Sequence, residues 1–464
     1  MGSHSEPLGP GESIAVLVPT GALGAGVRRE HVAAGLAMAP DAIACDAGST
    51  DSGPAYLATG RPKYSRSAVK ADLTILMLAQ AEAGVPLLIG SCGTSGCDPA
   101  LDWTLDIALE IAAEHGLSPR IALLRSEQDP EVLMAKARAG RVRPLAPHTE
   151  APPELFGSCD HIVALMGPEP YIAALDAGAD IVLGGRTTDT AVLAAVPLRR
   201  GAGAGAAWHA GKIGECGGLC TRRSREGGVM IRVGADSFEV EPLSATNACD
   251  PHSVSSHMLY ENADPFLLTE PGGVLDVREA TYEALDDRRV RVRGSVFRPQ
   301  PYTMKLEGAA GGPFQTVTLV GIQDPEVLAE LDRFVAQMEG LMRRRLEEVI
   351  PGLGAEAISL RPYGWNAVSG ETPPPGTPPP REVGLMLVST GADQATATQI
   401  AKTCNPLLFH MPLNPETELP SYAFPFSPAE IERGQVYEFR LNHVVEVDDP
   451  LELVRVAFVQ AGAR

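Results

Sequence analysis

In AIACDAGSTDSGP, residues 42–54, four apolar residues run into Asp46 and then into glycines, hydroxyls and a second carboxylate, Asp51. A short apolar run bounded by turn residues reads as a strand buried on both faces, the kind found in parallel sheets covered by helices. The polar loop then falls at the carboxyl end of the strand, where open parallel sheets place their ligands.

The same pattern repeats outward. IAVLVP (14–19) precedes it, and VPLLIG (85–90), RIALL (120–124), HIVALMG (161–167) and ADIVLGG (179–185) follow, separated by helical stretches that include 67–83 and 100–115. This alternation predicts an α/β main domain with a parallel, three-layer, Rossmann-like sheet; a (β/α) barrel alternates in the same way. Between 201 and 300, short alternating runs such as VMIRV and RVRVRGSVF predict an antiparallel insertion, and 324–349 reads as one long amphipathic helix. In ETPPPGTPPPR (371–381), proline blocks both helix and central strand, so an exposed linker is expected. The expected organisation is a flexible N-terminus over 1–12, a main domain over 13–370, that linker, and a C-terminal α+β domain over 382–464.

With only 5% aromatic residues, the core must be built largely from Ala, Val, Leu and Ile. A net charge of −20 opposes general binding to nucleic acid or anionic membranes, which requires a basic surface. No apolar run is long enough for a membrane span, and MGSHSEPLGPGES lacks the pattern of a secretory leader. Eight cysteines are too sparse for a disulfide scaffold, so a reducing, cytoplasmic location is expected. Self-association into a homo-oligomer is expected from its prevalence among soluble proteins.

Several loops carry candidate chemistry. In DAGSTDSGP, Asp46 and Asp51 are acid/base candidates, while Ser49 and Thr50 are placed to bind substrate. GSCGTSGCDP (90–99) offers successive backbone N–H groups to an anion, with Ser91, Gly93, Thr94 and Ser95 around it; it is neither a Walker motif nor a dinucleotide fingerprint. Cys92 and Cys97 in that loop read as small packed residues. After ADIVLGG, Arg186, Thr187, Thr188 and Asp189 lead into a helix, and Arg186 is placed either to clamp a carboxylate or to pair with Asp189. WHAGKIGECGG (208–218) gathers His209, Lys212, Glu215 and Cys216; on a helix His209, Lys212 and Cys216 share a face, which suits proton transfer. Cys216, Cys220 and His209 lack a convincing fourth zinc ligand, so no metal is expected. Further along, His252, His257, Tyr260, Glu261 and Asn262 lie close in sequence, and His257 and Tyr260 join the substrate-binding candidates.

DAGSTDSGP, ALDAGADIVLGGRTTDTAVLAA, WHAGKIGECGG, HMLYENADPFLLTEPGGVLD and SYAFPFSP followed by VYEFRLNHVVEVDDP together resemble the acyclic terpene utilisation family of bacterial proteins, across 14–450. The family is named for gene clusters that degrade branched isoprenoid acids as CoA thioesters. Some members are partnered with a small ferredoxin-fold subunit, so the segment after the proline-rich run looks like a fused, ferredoxin-like equivalent. Cys92 and Cys97 stand where the family often has small residues, which argues against a catalytic role for either.

The expectation that results is a cofactor-independent lyase or isomerase. It would use acid/base chemistry of the hydro-lyase or C–C lyase type on a small carboxylic acid or its acyl-CoA. A hydrolase using Ser91, Ser95 or Cys216 as nucleophile, and a non-catalytic binding subunit of an acyl-CoA-processing complex, are the alternatives.

Overall fold

The computed structural model describes residues 6–9, 11–150, 152–374, 376–416 and 418–462. Residues 1–5 and 10 of the expected N-terminal tail lie outside the described residues. In chain order the first strands and helices are β1 Ile14–Val18, α1 Arg29–Leu36, β2 Ala42–Asp46, α2 Ala55–Thr59, α3 Arg66–Ala83, β3 Leu87–Gly90, α4 Asp98–His115, β4 Arg120–Arg125, α5 Pro130–Arg138, β5 Val142–Pro144, β6 His161–Ala164, α6 Glu169–Asp176, β7 Ile181–Gly184 and α7 Asp189–Arg199. There follow α8 Ala204–Gly214, β8 Val229–Val233, β9 Ser237–Pro242, α9 Pro251–Ser256, β10 Leu267–Glu270, β11 Gly273–Asp276, β12 Thr281–Ala284, β13 Val290–Arg293 and β14 Val296–Pro299. The chain ends with β15 Thr303–Ile322, α10 Pro325–Ala329, α11 Leu331–Val349, β16 Ile358–Tyr363, β17 Val383–Gly391, α12 Gln394–His410, β18 Ile431–Glu446 and β19 Arg455–Gln460.

The fold is mixed α/β, in two compact units: Met1–Ala310 with Phe439–Arg464, and Gly311–Glu438. The first unit is built on a ten-stranded sheet ordered β12-β13-β9-β8-β1-β2-β3-β7-β4-β19. Its middle, β1-β2-β3-β7-β4, is parallel, and antiparallel strands extend it on both sides. The expected antiparallel region therefore mostly continues the main sheet, while β10, β11 and β14 form a separate three-stranded sheet. HIVALMG was expected to continue the parallel series. Its strand β6 instead pairs antiparallel with Leu306 to Ala309 of β15, a partner far along the chain that no local pattern reveals.

Apolar runs form strands here because both faces of the sheet are covered. Val16, Val18, Ala44, Leu88, Leu124 and Val182 enter one core with residues of α6, α7 and α8. Leu17, Ile43, Cys45, Ile89, Leu123 and Leu183 enter the other with residues of α3 and α4. The alternation is the two-residue period of a strand, with every position apolar because neither face meets water. Ser65 caps the start of α3, accepting from Ala68 N, and Gly84 ends it in the left-handed conformation.

The second unit has the order β-α-β-β-α-β, with strands arranged β16-β17-β15-β18. Leu331, Phe334, Met338, Met342 and Leu346 give α11 an apolar face at three- and four-residue spacing. The helix expected over 324–349 is split, because α10 ends at Ala329. The proline-rich run, expected as an inter-domain linker, is the connection between β16 and β17, which pair antiparallel inside this unit. Correspondingly, 382–464 is not one domain. β19 pairs with β4 of the main sheet, whereas β17 and α12 belong to the second unit.

Strands β2, β3 and β7 are neighbours, so the loops after them are brought together, and a close backbone contact seals two of them. Gly96 has φ +64°, and a Cβ there would lie 2.2 Å from Arg186 N. Gly84 has a similar φ of +66° with nothing within 4 Å of its Cβ position. Gly84→Ala should therefore cost only the left-handed strain, about 1 kcal/mol, whereas Gly96→Ala adds a backbone collision and should cost roughly 3 kcal/mol or more. Urea unfolding of the two variants measures the difference, and equal losses would contradict the contact.

Candidate functional site

Two cavities, of about 800 and 510 Å³, open at these strand ends in the first unit. They share Ser49, Asp51, Asp189, Glu215 and Glu261. Asp46 ends β2 and borders the larger cavity; Gly48 N donates to its Oδ2 at 2.8 Å, and its buried Oδ1 has no hydrogen-bond partner. Burial, reinforced by nearby Asp189, raises the Asp46 carboxyl well above the usual range. Ser49 donates to Asp51 Oδ2 at 2.5 Å in the turn above. Thr50 lines neither cavity and donates to Glu307 Oε2 at 2.9 Å.

Arg186 is buried and already engaged. Its Nε donates to Glu307 Oε2 at 3.1 Å and its Nη1 to Ser91 Oγ at 3.1 Å, while Asp189 Oδ1 lies 3.6 Å from Nη1. Lys305 Nζ donates to the other oxygen of Glu307 at 2.8 Å. Although burial opposes it, Arg186 and Lys305 hold the Glu307 carboxyl down at about 2. Of the two roles considered for Arg186, the approach to Asp189 is present, and its principal partner is one not foreseen, Glu307.

The loop of residues 90–99 does not open an anion cradle into either cavity. Ser91, Thr94 and Ser95 are buried, and neither they nor Gly93 lines the two cavities. Ser91 Oγ meets Arg186, Thr94 Oγ1 reaches Ala47 O at 3.4 Å, and Ser95 Oγ lies 3.2 Å from Cys97 Sγ. The loop acts as a prop: its hydroxyls turn inward because Arg186 and the neighbouring backbone supply their partners. Thr187 is likewise buried, between Gly185 O and the Tyr171 hydroxyl. Thr188 lines the smaller cavity and Asp189 both. Enclosure pushes the Asp189 carboxyl up to about 6 against the pull of Arg186.

Helix α8 brings Lys212, and the residues just beyond its end bring Glu215 and Cys216. Its glycines permit this. A Cβ on Gly211 would sit 2.5 Å from Thr190 O, so only glycine lets α8 approach α7 this closely. Lys212 Nζ donates to Glu215 Oε1 and, at 3.2 Å, to Tyr260 O. Burial works against the ammonium, but Glu215 more than offsets it and Lys212 stays protonated. Cys216 borders the larger cavity; burial and then Glu215 push its thiol up. His257 is buried with its ring stacked on Tyr260 at 5.7 Å.

His209 belongs elsewhere. It is fully buried, with Nδ1 2.7 Å from Ser295 Oγ and Nε2 3.1 Å from the Tyr282 hydroxyl, and it lines neither cavity. Burial lowers it to about 3, so it is a neutral core residue. Two acids of the cavity walls were not anticipated, Glu307 and Glu270, and Glu261, noted only as a neighbour of His257 and Tyr260, joins them. Glu270 Oε1 accepts from Thr190 at 2.7 Å, its Oε2 has no partner, and burial raises it to about 7. Glu261 carries a φ of +56°, an uncommon conformation outside glycine. In TMKLEG, two-residue alternation does signal that Lys305 and Glu307 face opposite to Met304 and Leu306, but not what they face.

Glu270 binds its proton more tightly folded than unfolded. Its stabilising contribution is therefore whole below about pH 4 and lost as pH rises through about 7. Glu270→Gln should gain stability relative to the parent across that window, by up to about 3 kcal/mol. Thermal unfolding of both proteins at steps of pH measures this; a pH-independent gap would contradict it.

A family model described as acyclic terpene utilisation family protein AtuA matches residues 59–233 and 237–430. No curated protein and no solved structure gives a match. No helix among the described residues is long and apolar enough to cross a membrane. The matched residues span most of the chain and include Arg186, Asp189, Lys212, Glu215, Cys216 and Glu307 of the cavities just described, and the chain belongs to the acyclic terpene utilisation (AtuA) family.

Proposed function

We propose that the chain is a lyase or isomerase that moves protons beside a carbonyl in a small carboxylic acid or its acyl-CoA thioester. The observation that carries this reading is the spread of proton affinities along one pair of joined cavities. Glu307 is held at about 2, Asp189 at about 6 and Glu270 at about 7. Carboxyls pushed apart in this way divide into permanent anions and proton carriers. Asp189, open to both cavities, is the acid/base group, and Asp46 beside it shares its proton traffic. Lys212 supplies the fixed positive charge for a developing enolate oxygen. Arg28, Lys63 and Arg225 line the larger cavity and suit the anionic end of an acyl-CoA.

The nucleophilic alternative narrows to one residue. Ser91 and Ser95 are fully buried, which leaves Cys216, near His257. Its raised thiol disfavours the thiolate that such chemistry needs. The same proposal includes two finer points of architecture and setting. Helices on both faces of the parallel strands fit a three-layer Rossmann-like domain, and the β-α-β-β-α-β order of the second unit fits a ferredoxin-like fold. None of the eight cysteines is in a disulfide, which suits the cytoplasm.

Solvent deuterium incorporation, followed by NMR over a panel of short-chain hydroxy acids and acyl-CoAs, tests the reaction class without prior choice of substrate. The parent should exchange a proton next to the carbonyl. Asp189→Asn should slow exchange by roughly 10²–10⁴-fold while remaining folded. With Asp189 acting as base, the rate should rise with pH through about 6 in the parent, and that limb should vanish in the variant. Exchange at an unchanged rate in Asp189→Asn would overturn the assignment.

A further inference from the structure

Four of the five residues common to both cavities are carboxylates, Asp51, Asp189, Glu215 and Glu261, and none is a cation. Next to this wall, His257 is only 4% exposed, and its buried Nε2 has no hydrogen-bond partner. That nitrogen lies 4.0 Å from Glu215 Oε1, too far for a hydrogen bond. A buried polar group left unpaired is costly, so a missing partner at this point is informative. Nor is Cys216 fully buried: it lines the larger cavity.

One ligand atom each from Glu215, Cys216 and His257 lies within 4.8 Å of the others. An ion at the centre of such a triangle is at most about 2.8 Å from any corner. Small side-chain shifts then reach the bond lengths of roughly 2.0–2.3 Å made by zinc to oxygen, nitrogen and sulfur. We propose that Glu215, Cys216 and His257 bind a zinc-like divalent cation, with a further coordination position open to the larger cavity. The donor set selects the ion: one nitrogen, one sulfur and one carboxylate oxygen suit zinc, whereas magnesium and calcium prefer oxygen alone. Three protein ligands with an open position is the catalytic rather than the structural arrangement.

The surroundings are consistent with such an ion. Imidazole nitrogen is a common zinc ligand, and His257 offers one buried beside Glu215. Ring stacking on Tyr260 holds its orientation. Lys212 is the competitor for Glu215, and its second acceptor, Tyr260 O, gives the ammonium a place to remain when the carboxylate turns to the ion. A second trio, Cys97, Glu127 and His161, also has its ligand atoms within 4.8 Å. There, however, Glu127 accepts from Asp98 N and lies 2.5 Å from His161 Nδ1, and Cys97 meets Ser95, so the polar groups already have partners. That trio serves as an internal control.

The inference does not rest on the lyase reading, because binding is measured without substrate. The full chain, stripped with a chelator, is titrated with cobalt(II) and then competed with zinc(II). About one cobalt per chain should bind, with a sulfur-to-metal charge-transfer absorption that zinc abolishes. Cys216→Ser should lose that absorption, and His257→Gln should weaken binding beyond the roughly 100-fold loss typical of outer-shell changes. Cys97→Ser and His161→Gln should bind like the parent. The proposal is overturned by no saturable binding to the parent, by a parent spectrum lacking the sulfur band, or by binding that survives both Cys216→Ser and His257→Gln. The parent spectrum decides alone should either variant fail to fold.

Discussion

The buried pair of Arg186 and Glu307 organises everything around it. Arg186 follows β7, Glu307 sits on β15, and their partners Thr50 and Ser91 come from the loops after β2 and β3. Four segments far apart in sequence therefore meet on one ion pair. Removing either partner would strand a buried charge, a change that typically costs about 3–5 kcal/mol. The pair is thus less a source of net stability than a device that allows only one arrangement of the loops. Gly96 belongs to the same device, since its lack of a Cβ lets its loop press against the backbone of Arg186.

With Arg186 committed to Glu307, the remaining acids are left under-compensated. Asp46, Asp189, Glu215 and Glu270 are all raised by burial; repulsion from Asp189 adds to it at Asp46, Glu215 and Glu270, and repulsion from Asp51 and Glu261 adds to it at Asp189. Lys212 is the ammonium closest to this group and is bound to Glu215. A site that keeps several carboxyls near neutrality is costly to fold around, and such cost is tolerated where protons or cations are handled. Glu261, also in the shared wall, holds a left-handed backbone, a conformation uncommon outside glycine.

Much of the main sheet was legible because its strands are short, apolar and separated by capped helices, so local pattern and global position agree. Residues whose surroundings are set by distant partners were not. His209 shares a helix with Lys212, and spacing alone places both on one face, yet Ser295 and Tyr282 arrive from remote segments and satisfy the histidine in the core. Glu307 is invisible for the reverse reason: an acid in an alternating strand looks solvent-facing until Arg186 is brought against it. The proline run misled through its neighbours. Proline does keep the described residues of 371–381 out of a strand, but β16 and β17 on either side of it pair with each other, and no composition rule distinguishes a long hairpin connection from a linker.

The glycines of WHAGKIGECGG show how one feature can count against an element locally and be required by it globally. In isolation each costs about 0.5–1 kcal/mol of helix stability relative to alanine. In the fold, Gly211 gives α8 its approach to the backbone of α7 at Thr190, and Gly214 makes room for Ile231 of β8. That approach carries Lys212 towards Asp189, whose charges then influence each other. A wider helix spacing would leave Asp189 facing Asp46 and Glu215 without the ammonium. The helix propensity lost along α8 is therefore exchanged for the charge balance of the cavities, and the site exists because packing, not propensity, decides where α8 lies.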